Sequence, residues 1–155
     1  MDLKPLERGQ LGVMLVSSLL VAVPPLVGAA VLLTALRDKT GLAPGPLIAA
    51  LALLLAYPVL VGPFRRYRTW GYALGEHELH VRHGVWTEID TTVPLRRVQH
   101  LDVAQGPLER MFGVTRLVLH TAGTANSEVV LPGLTRATAE AYRDDIRAHI
   151  RQEPE

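Results

Sequence analysis

Six histidines are the residues of this chain best suited to chemistry. His77, His80 and His83 recur at steps of three. On a helix that spacing could pair metal ligands, but in a strand it points His80 to the face opposite the other two. Gly75 and Gly84 bracket a strand-like run, so solvated imidazoles are expected and no metal site. Asp102 near His100 reads as a sequence neighbour only. The chain has no cysteine, which removes disulfides, thiolate catalysis and Cys-ligated zinc or iron–sulfur sites. Ser127 is the only serine outside the first apolar segment, and it lacks a Gly-x-Ser-x-Gly elbow. No phosphate-binding loop exists, and acid pairs such as Asp144-Asp145 fall on a solvent face. The sequence therefore reads as a non-enzyme without catalytic residues, cofactor or metal. Contact chemistry remains, in the arginines and the tryptophans.

The elements that must position those residues divide sharply. The 155 residues hold 16 basic and 15 acidic side chains, a net charge of +1, which argues against nucleic acid as a partner. Residues 1–64 carry four basic and three acidic side chains; residues 65–155 carry twelve of each and every histidine. Gly9 to Leu36 is a run of 28 uncharged residues, and Thr40 to Phe64 one of 25. A helix needs about 20 apolar residues to cross the hydrocarbon, and lipid demands internally bonded backbone. Two spans are predicted, at about 11–36 and 44–64, within an anchor of residues 1–66. Pro24-Pro25 should kink the first. Pro44 and Pro46 suit the entry to the second and Pro63 its exit. A cleaved signal peptide is the competing reading, given Lys4 and Arg8; the length of the run and the second run behind it favour an anchor.

Orientation follows from the cations. Lys4, Arg8, Arg65, Arg66 and Arg68 flank the spans, against Arg37 and Lys39 between them, which places both termini in the cytoplasm. Arg65, Arg66, Arg68 and Trp70 form a candidate membrane-surface contact. Each such cation is worth about 1 kcal/mol near an anionic leaflet. Neither span contains an Asp, Glu, Lys, Arg or His, so the hairpin reads as an anchor and not as a transporter.

Residues 67–155 change pattern. Leu79 and Val81, then Val85 to Leu95 at every second position, then Leu101 and Val103, Thr115 to Leu119, and Val129 to Leu131 read as half-buried strands. Leu74-Gly75-Glu76, His83-Gly84, Gln105-Gly106-Pro107, Ala122-Gly123 and Pro132-Gly133 punctuate them. A C-terminal helix is predicted over about 135–151, with Thr135 as N-cap and Ala139, Tyr142, Ile146 and Ile150 as its apolar stripe. Glu140–Arg143 and Asp144–Arg147 can pair on its solvent side, and the tail from Gln152 to Glu155 should fray. Gly106-Pro107 should start a single helical turn that sends Leu108, Met111 and Phe112 to the core and ends at Gly113. Gln99 and Arg110 are the polar residues expected to lock that turn. The fold class is thus a helical membrane hairpin followed by a sandwich, or partly open barrel, of antiparallel strands closed by one helix.

The stretches Val93 to Asp102, Gln105 to Gly113 and His120 to Gly123, in this order after the Trp70-x-Tyr72 strand, resemble the bacterial pleckstrin-homology-like domain of the second type. More narrowly the chain is similar to the YdbS-like short membrane proteins, with two N-terminal spans before one such domain. The resemblance covers essentially the whole chain. It implies a PH-like fold, residence in the bacterial inner membrane, and a larger tandem-domain membrane protein as partner. It also implies a role in the cell envelope, including resistance to membrane-active peptides. Eukaryotic PH domains bind phosphoinositides through basic residues around their first strand-to-strand loop; here that loop is Gly75-Glu76-His77-Glu78, which is acidic. Trp86 with Arg96 and Arg97 forms a candidate partner contact, since aromatics and Arg are usual anchors. The reading is a non-enzymatic scaffold; the alternative is a membrane-surface sensor of anionic lipid.

Overall fold

A computed structural model describes residues 3–41, 43–122 and 128–152. Gly123 and Ser127 of the sequence reading, and residues 153–155 of the tail, lie outside the described residues. The chain forms two compact units, Met14–Arg65 on the one hand and Met1–Val13 with Arg66–Glu155 on the other.

The first of these holds most of helix α1 (Arg8–Ala35), the short α2 (Arg37–Thr40) and most of α3 (Pro44–Thr69). Both long helices are sufficiently long and apolar to cross a membrane. Leu20, Val21, Leu53 and Leu54 have most of their side-chain surface uncovered, which suits lipid as the solvent. The hydroxyls of α1 are satisfied within the helix: those of Ser17 and Ser18 donate to the Met14 carbonyl at 2.9 and 2.8 Å, and Thr34 donates to Ala30 at 2.9 Å. Pro24-Pro25 lies inside α1, and α3 continues through Pro63 to Thr69, beyond the exit that Pro63 suggested.

The other unit is strand-built. Strands β1 (Gly71–Leu74), β2 (Glu78–His83) and β3 (Ile89–Pro94) form one antiparallel sheet in chain order. A 3-10 turn, Leu95–Arg97, leads to the second sheet, β4 (Val98–Ala104), β5 (Thr115–Thr121) and β6 (Glu128–Leu134), also in chain order. Helix α4 (Pro107–Met111) joins β4 to β5, and α5 (Arg136–Gln152) follows β6. Period-two alternation delivers Leu79, Val81 and Val93 from the first sheet, and Leu101, Leu117, Leu119 and Leu131 from the second, to a buried core. Ala139 and Ile146 of α5 are buried, whereas Ile150 lies outside the buried stripe. Thr135 caps α5, its Oγ1 accepting from the Thr138 amide at 3.1 Å.

Several expectations need correction. The alternation from Val85 to Leu95 is not one strand: β2 and β3 pair His83 with Ile89, so Val85 and Thr87 fall in the connecting turn. β6 runs through Pro132-Gly133 to Leu134, because Gly133 takes φ +66° and the register against β5 shifts there. On α5 the carboxylates choose other arginines, Arg136–Glu140 at 2.9 Å and Arg143–Asp144 at 2.8 Å.

The turn around α4 is locked by other residues than Gln99 and Arg110, which are exposed. Glu109, itself buried, accepts from the Gly106 amide at 2.5 Å, and the Gln105 side-chain amide donates to the Val114 carbonyl at 2.8 Å. Pro107 occupies the first turn, where its missing amide costs nothing, and Gly113 ends the helix at φ +68°. Met111 points to solvent and not to the core. Phe112 is half-buried, its ring against Gly12.

That contact belongs to a clasp made by the N-terminal segment. Lys4 and Tyr72 exchange backbone hydrogen bonds at 2.8 and 3.0 Å, and the Glu7 amide donates to the Gly133 carbonyl at 2.8 Å. The Tyr67 hydroxyl donates to the Leu6 carbonyl at 2.8 Å, and Leu6 is buried. The segment before α1 therefore pairs with β1 at Lys4 and touches β6 at Glu7, and Leu6 adds to the core of the small sandwich.

Candidate functional site

The contact residues are positioned by the first sheet, and its register decides which of them meet. At one end, α3 finishes at Thr69 and the chain enters β1 with Gly71 opposite Arg82. Trp70 stacks on His83, ring centroids 4.6 Å apart. The β2–β3 turn, residues 84–88, lies next to this junction and carries Trp86, 86% exposed. Beside it is a groove of about 420 Å³ lined by Leu3, Pro5, Arg68, Trp70, Arg82 and Glu88, among others. Arg82 holds both nearby carboxylates, Glu88 at 3.1 Å and Asp90 at 3.0 Å.

The other end of the same sheet holds the acidic β1–β2 loop, where the Gly75 amide donates to Glu78. The Leu95 amide donates to His77 at 2.9 Å, which brings the 3-10 turn with the exposed Arg96 and Arg97 to this end. The six residues of β3 separate Trp86 from these arginines, about 20 Å of extended chain. Trp86, Arg96 and Arg97 are therefore not one patch. Alternation along a supposed continuous strand had suggested a shared face; the strand length between them decides otherwise.

Of the remaining arginines, Arg66 and Arg68 are exposed on the last turn of α3, and Arg65 donates to the Tyr57 hydroxyl at 3.0 Å. The histidines are engaged locally. His80 meets Glu78 at 2.7 Å and Thr92 at 3.1 Å, across the hairpin. Asp102 is more than a neighbour of His100: its two oxygens meet His100 at 3.0 Å and His120 at 3.3 Å. The signal was available in the i,i+2 spacing, which puts both residues on one strand face, but His120 is added only by the β4–β5 pairing. Among the described residues no group of His, Asp or Glu is arranged to hold a metal ion.

A second groove, about 290 Å³, runs between α5 and β4 and is lined by Asp102, Gln105, Arg136, Glu140, Arg143 and Arg147, among others. Its carboxylates are already held, Asp102 by the two imidazoles and Glu140 by Arg136. Hydrogen bonding from Arg143 holds the Asp144 carboxyl below its ordinary range. In the core, burial and the neighbouring Tyr142 push the Tyr72 phenol up to about 12.

Comparison with known proteins agrees with this architecture. The bacterial PH domain family matches residues 11–153 of the chain. The chain is 34% identical over 88 residues to the UPF0699 transmembrane protein YdbS of Bacillus subtilis (strain 168), a match covering 57% of this chain and 54% of that protein. The chain thus spans about half the length of this relative. No solved structure gives a significant match.

Proposed function

Since the chain belongs to the bacterial PH domain family, we propose that it is a membrane-anchored, non-enzymatic interaction module serving as scaffold or subunit of a membrane complex. In this reading residues 1–66 form the anchor, both termini are cytoplasmic, and residues 67–155 present the PH-like domain to a membrane-protein partner. The partner class taken from the family resemblance is a tandem PH-like protein, and the setting is envelope maintenance or resistance to membrane-active agents.

One observation supports the reading above the others. β3 is the edge of its sheet, paired on one side only with β2, and it ends beside Arg96 and Arg97. An edge strand offers backbone donors and acceptors to an added strand, and flanking arginines supply specificity for acidic side chains. Ile89 and Asp90 keep the outer half of this strand accessible.

The test is purification of the full chain in mild detergent from its own cells, beside the R96E/R97E double variant. A membrane protein retained in fixed ratio by the parent chain and lost from the variant supports the reading. Retention that ignores both substitutions, or a chain that emerges alone, contradicts it. Charge reversal at two exposed positions leaves folding intact, which circular dichroism checks.

A further inference from the structure

We propose that the groove between α5 and β4 is a binding site for the phosphate group of a small molecule. It involves neither β3 nor Arg96 and Arg97, so it stands or falls separately from the partner reading.

Spacing builds one wall of the site. Arg136, Glu140, Arg143 and Arg147 follow one another at steps of four, three and four, which sets them on a single stripe of α5. All four line the groove of about 290 Å³. Strands supply its other wall, with Leu101 and Val103 from β4 and Thr115 from β5. Thr115 alternates with Leu117 and Leu119 on the buried face of β5 and is itself 1% exposed.

Thr115 is the first sign of a ligand. Its Oγ1 is buried and has no hydrogen-bond partner among the described residues. An unpartnered hydroxyl in such a place costs free energy, and a polar group entering the groove would offset that cost.

Uncommitted cationic donors are the second. Arg147 is exposed and makes no hydrogen bond or ion pair among the described residues. Arg136 engages Glu140 through Nε, and Arg143 engages Asp144 through Nε and Nη2. Both are surface pairs of small energy, so the two forks can turn to a better acceptor. The carboxylates that line the groove oppose an anion weakly, since Asp102 is held by His100 and His120 and Glu140 by Arg136.

The class of ligand follows from number and direction. One planar carboxylate is satisfied by a single guanidinium fork, whereas three forks on a helix and a hydroxyl on a strand suit a tetrahedral group with oxygens on several sides. The volume admits a phosphate with a short organic body.

The test is equilibrium dialysis of the full chain, in a neutral detergent, against radiolabelled inorganic phosphate, with ionic strength held constant by chloride. The expected result is saturable uptake of one phosphate per chain, weakened roughly tenfold or more in T115V and in R147Q. T115V removes an unpartnered polar atom, so its thermal midpoint without phosphate should equal or exceed the parent's. R147Q, at an exposed position, decides the matter if T115V fails to fold. No uptake above the chloride background, or uptake that ignores the substitutions, overturns the proposal. Malonate that displaces phosphate at equal concentration also overturns it, because the groove would then take any small anion. Phosphatidylglycerol added to the micelles separates the two sources of phosphate. Displacement by it supports the site with a lipid headgroup as ligand, and retention of the label supports the site with a water-soluble one.

Discussion

The Trp70 indole lies on the His83 imidazole with ring planes 21° apart. The pair joins the residue that leaves α3 to the last residue of β2, and so ties one end of the first sheet to the helix terminus. An aromatic pair of this kind contributes about 0.5–1.5 kcal/mol beyond simple burial. His83→Ala should lower the stability of the domain by that amount, read from the fall of its thermal midpoint, whereas His83→Phe should retain most of it. Equal losses from both substitutions would show that the ring stack contributes nothing.

Glu109 is the polar residue on which the α4 turn depends. Its carboxylate accepts from Gly106, lies 3.8 Å from Arg116, and is almost fully covered. Glu109→Ala removes a cap and leaves the Gly106 amide unpaired, at a cost of about 1–2 kcal/mol. Gln99→Ala, at an exposed position, should cost under about 0.5 kcal/mol. Denaturant midpoints for the two variants check this, and the reverse order would refute the assignment of the lock.

Tyr72 sets an upper pH limit. Its phenol is raised to about 12 in the folded chain, first by burial and then by Tyr142, while an unfolded tyrosine titrates near 10. The unfolded state therefore loses its proton first. Stability from this group is complete below about pH 10 and falls as pH rises from there towards 12. Tyr72→Phe should flatten the alkaline limb of the stability curve. An unchanged limb in the variant would assign the loss to another group.

The N-terminal clasp passes over Gly133. A methyl group there would meet the Gln10 Cβ at 2.8 Å, and φ +66° is unfavourable for any L side chain. The conformation alone costs about 1–2 kcal/mol in Gly133→Ala, and the segment from Leu6 to Gln10 must shift as well. Hydrogen exchange should rise at the Glu7 and Lys4 amides, which donate to Gly133 and Tyr72. Protection unchanged at both amides would mean that the clasp does not rest on this residue.

Much of the architecture was legible because it depends on local pattern. Two long uncharged runs locate α1 and α3, period-two burial locates Leu79 with Val81 and Leu117 with Leu119, and Thr135 marks the start of α5. What escaped depends on pairing between distant segments. Val85 and Thr87 keep the strand parity yet sit in a turn, because the His83–Ile89 register ends the ladder before them. Glu109 and Gln105 outrank Gln99 and Arg110 because the Gly106 amide and the Val114 carbonyl face them once the chain has turned. The bonds from Lys4 to Tyr72 and from Glu7 to Gly133 join residues too far apart for periodicity to relate. Alternation along one supposed strand groups Trp86 with Arg96 and Arg97, and the intervening β3 sets them at opposite ends of a sheet.

The orientation of the chain underlies the proposed function, and the absence of native cysteine makes it directly measurable. Lys39→Cys, between the two long helices, and Arg97→Cys, on the 3-10 turn, are labelled in intact cells and in inverted membrane vesicles with a membrane-impermeant maleimide. The account predicts that Lys39→Cys reacts in cells, while Arg97→Cys reacts only in inverted vesicles. Labelling of Arg97→Cys from outside intact cells would contradict it.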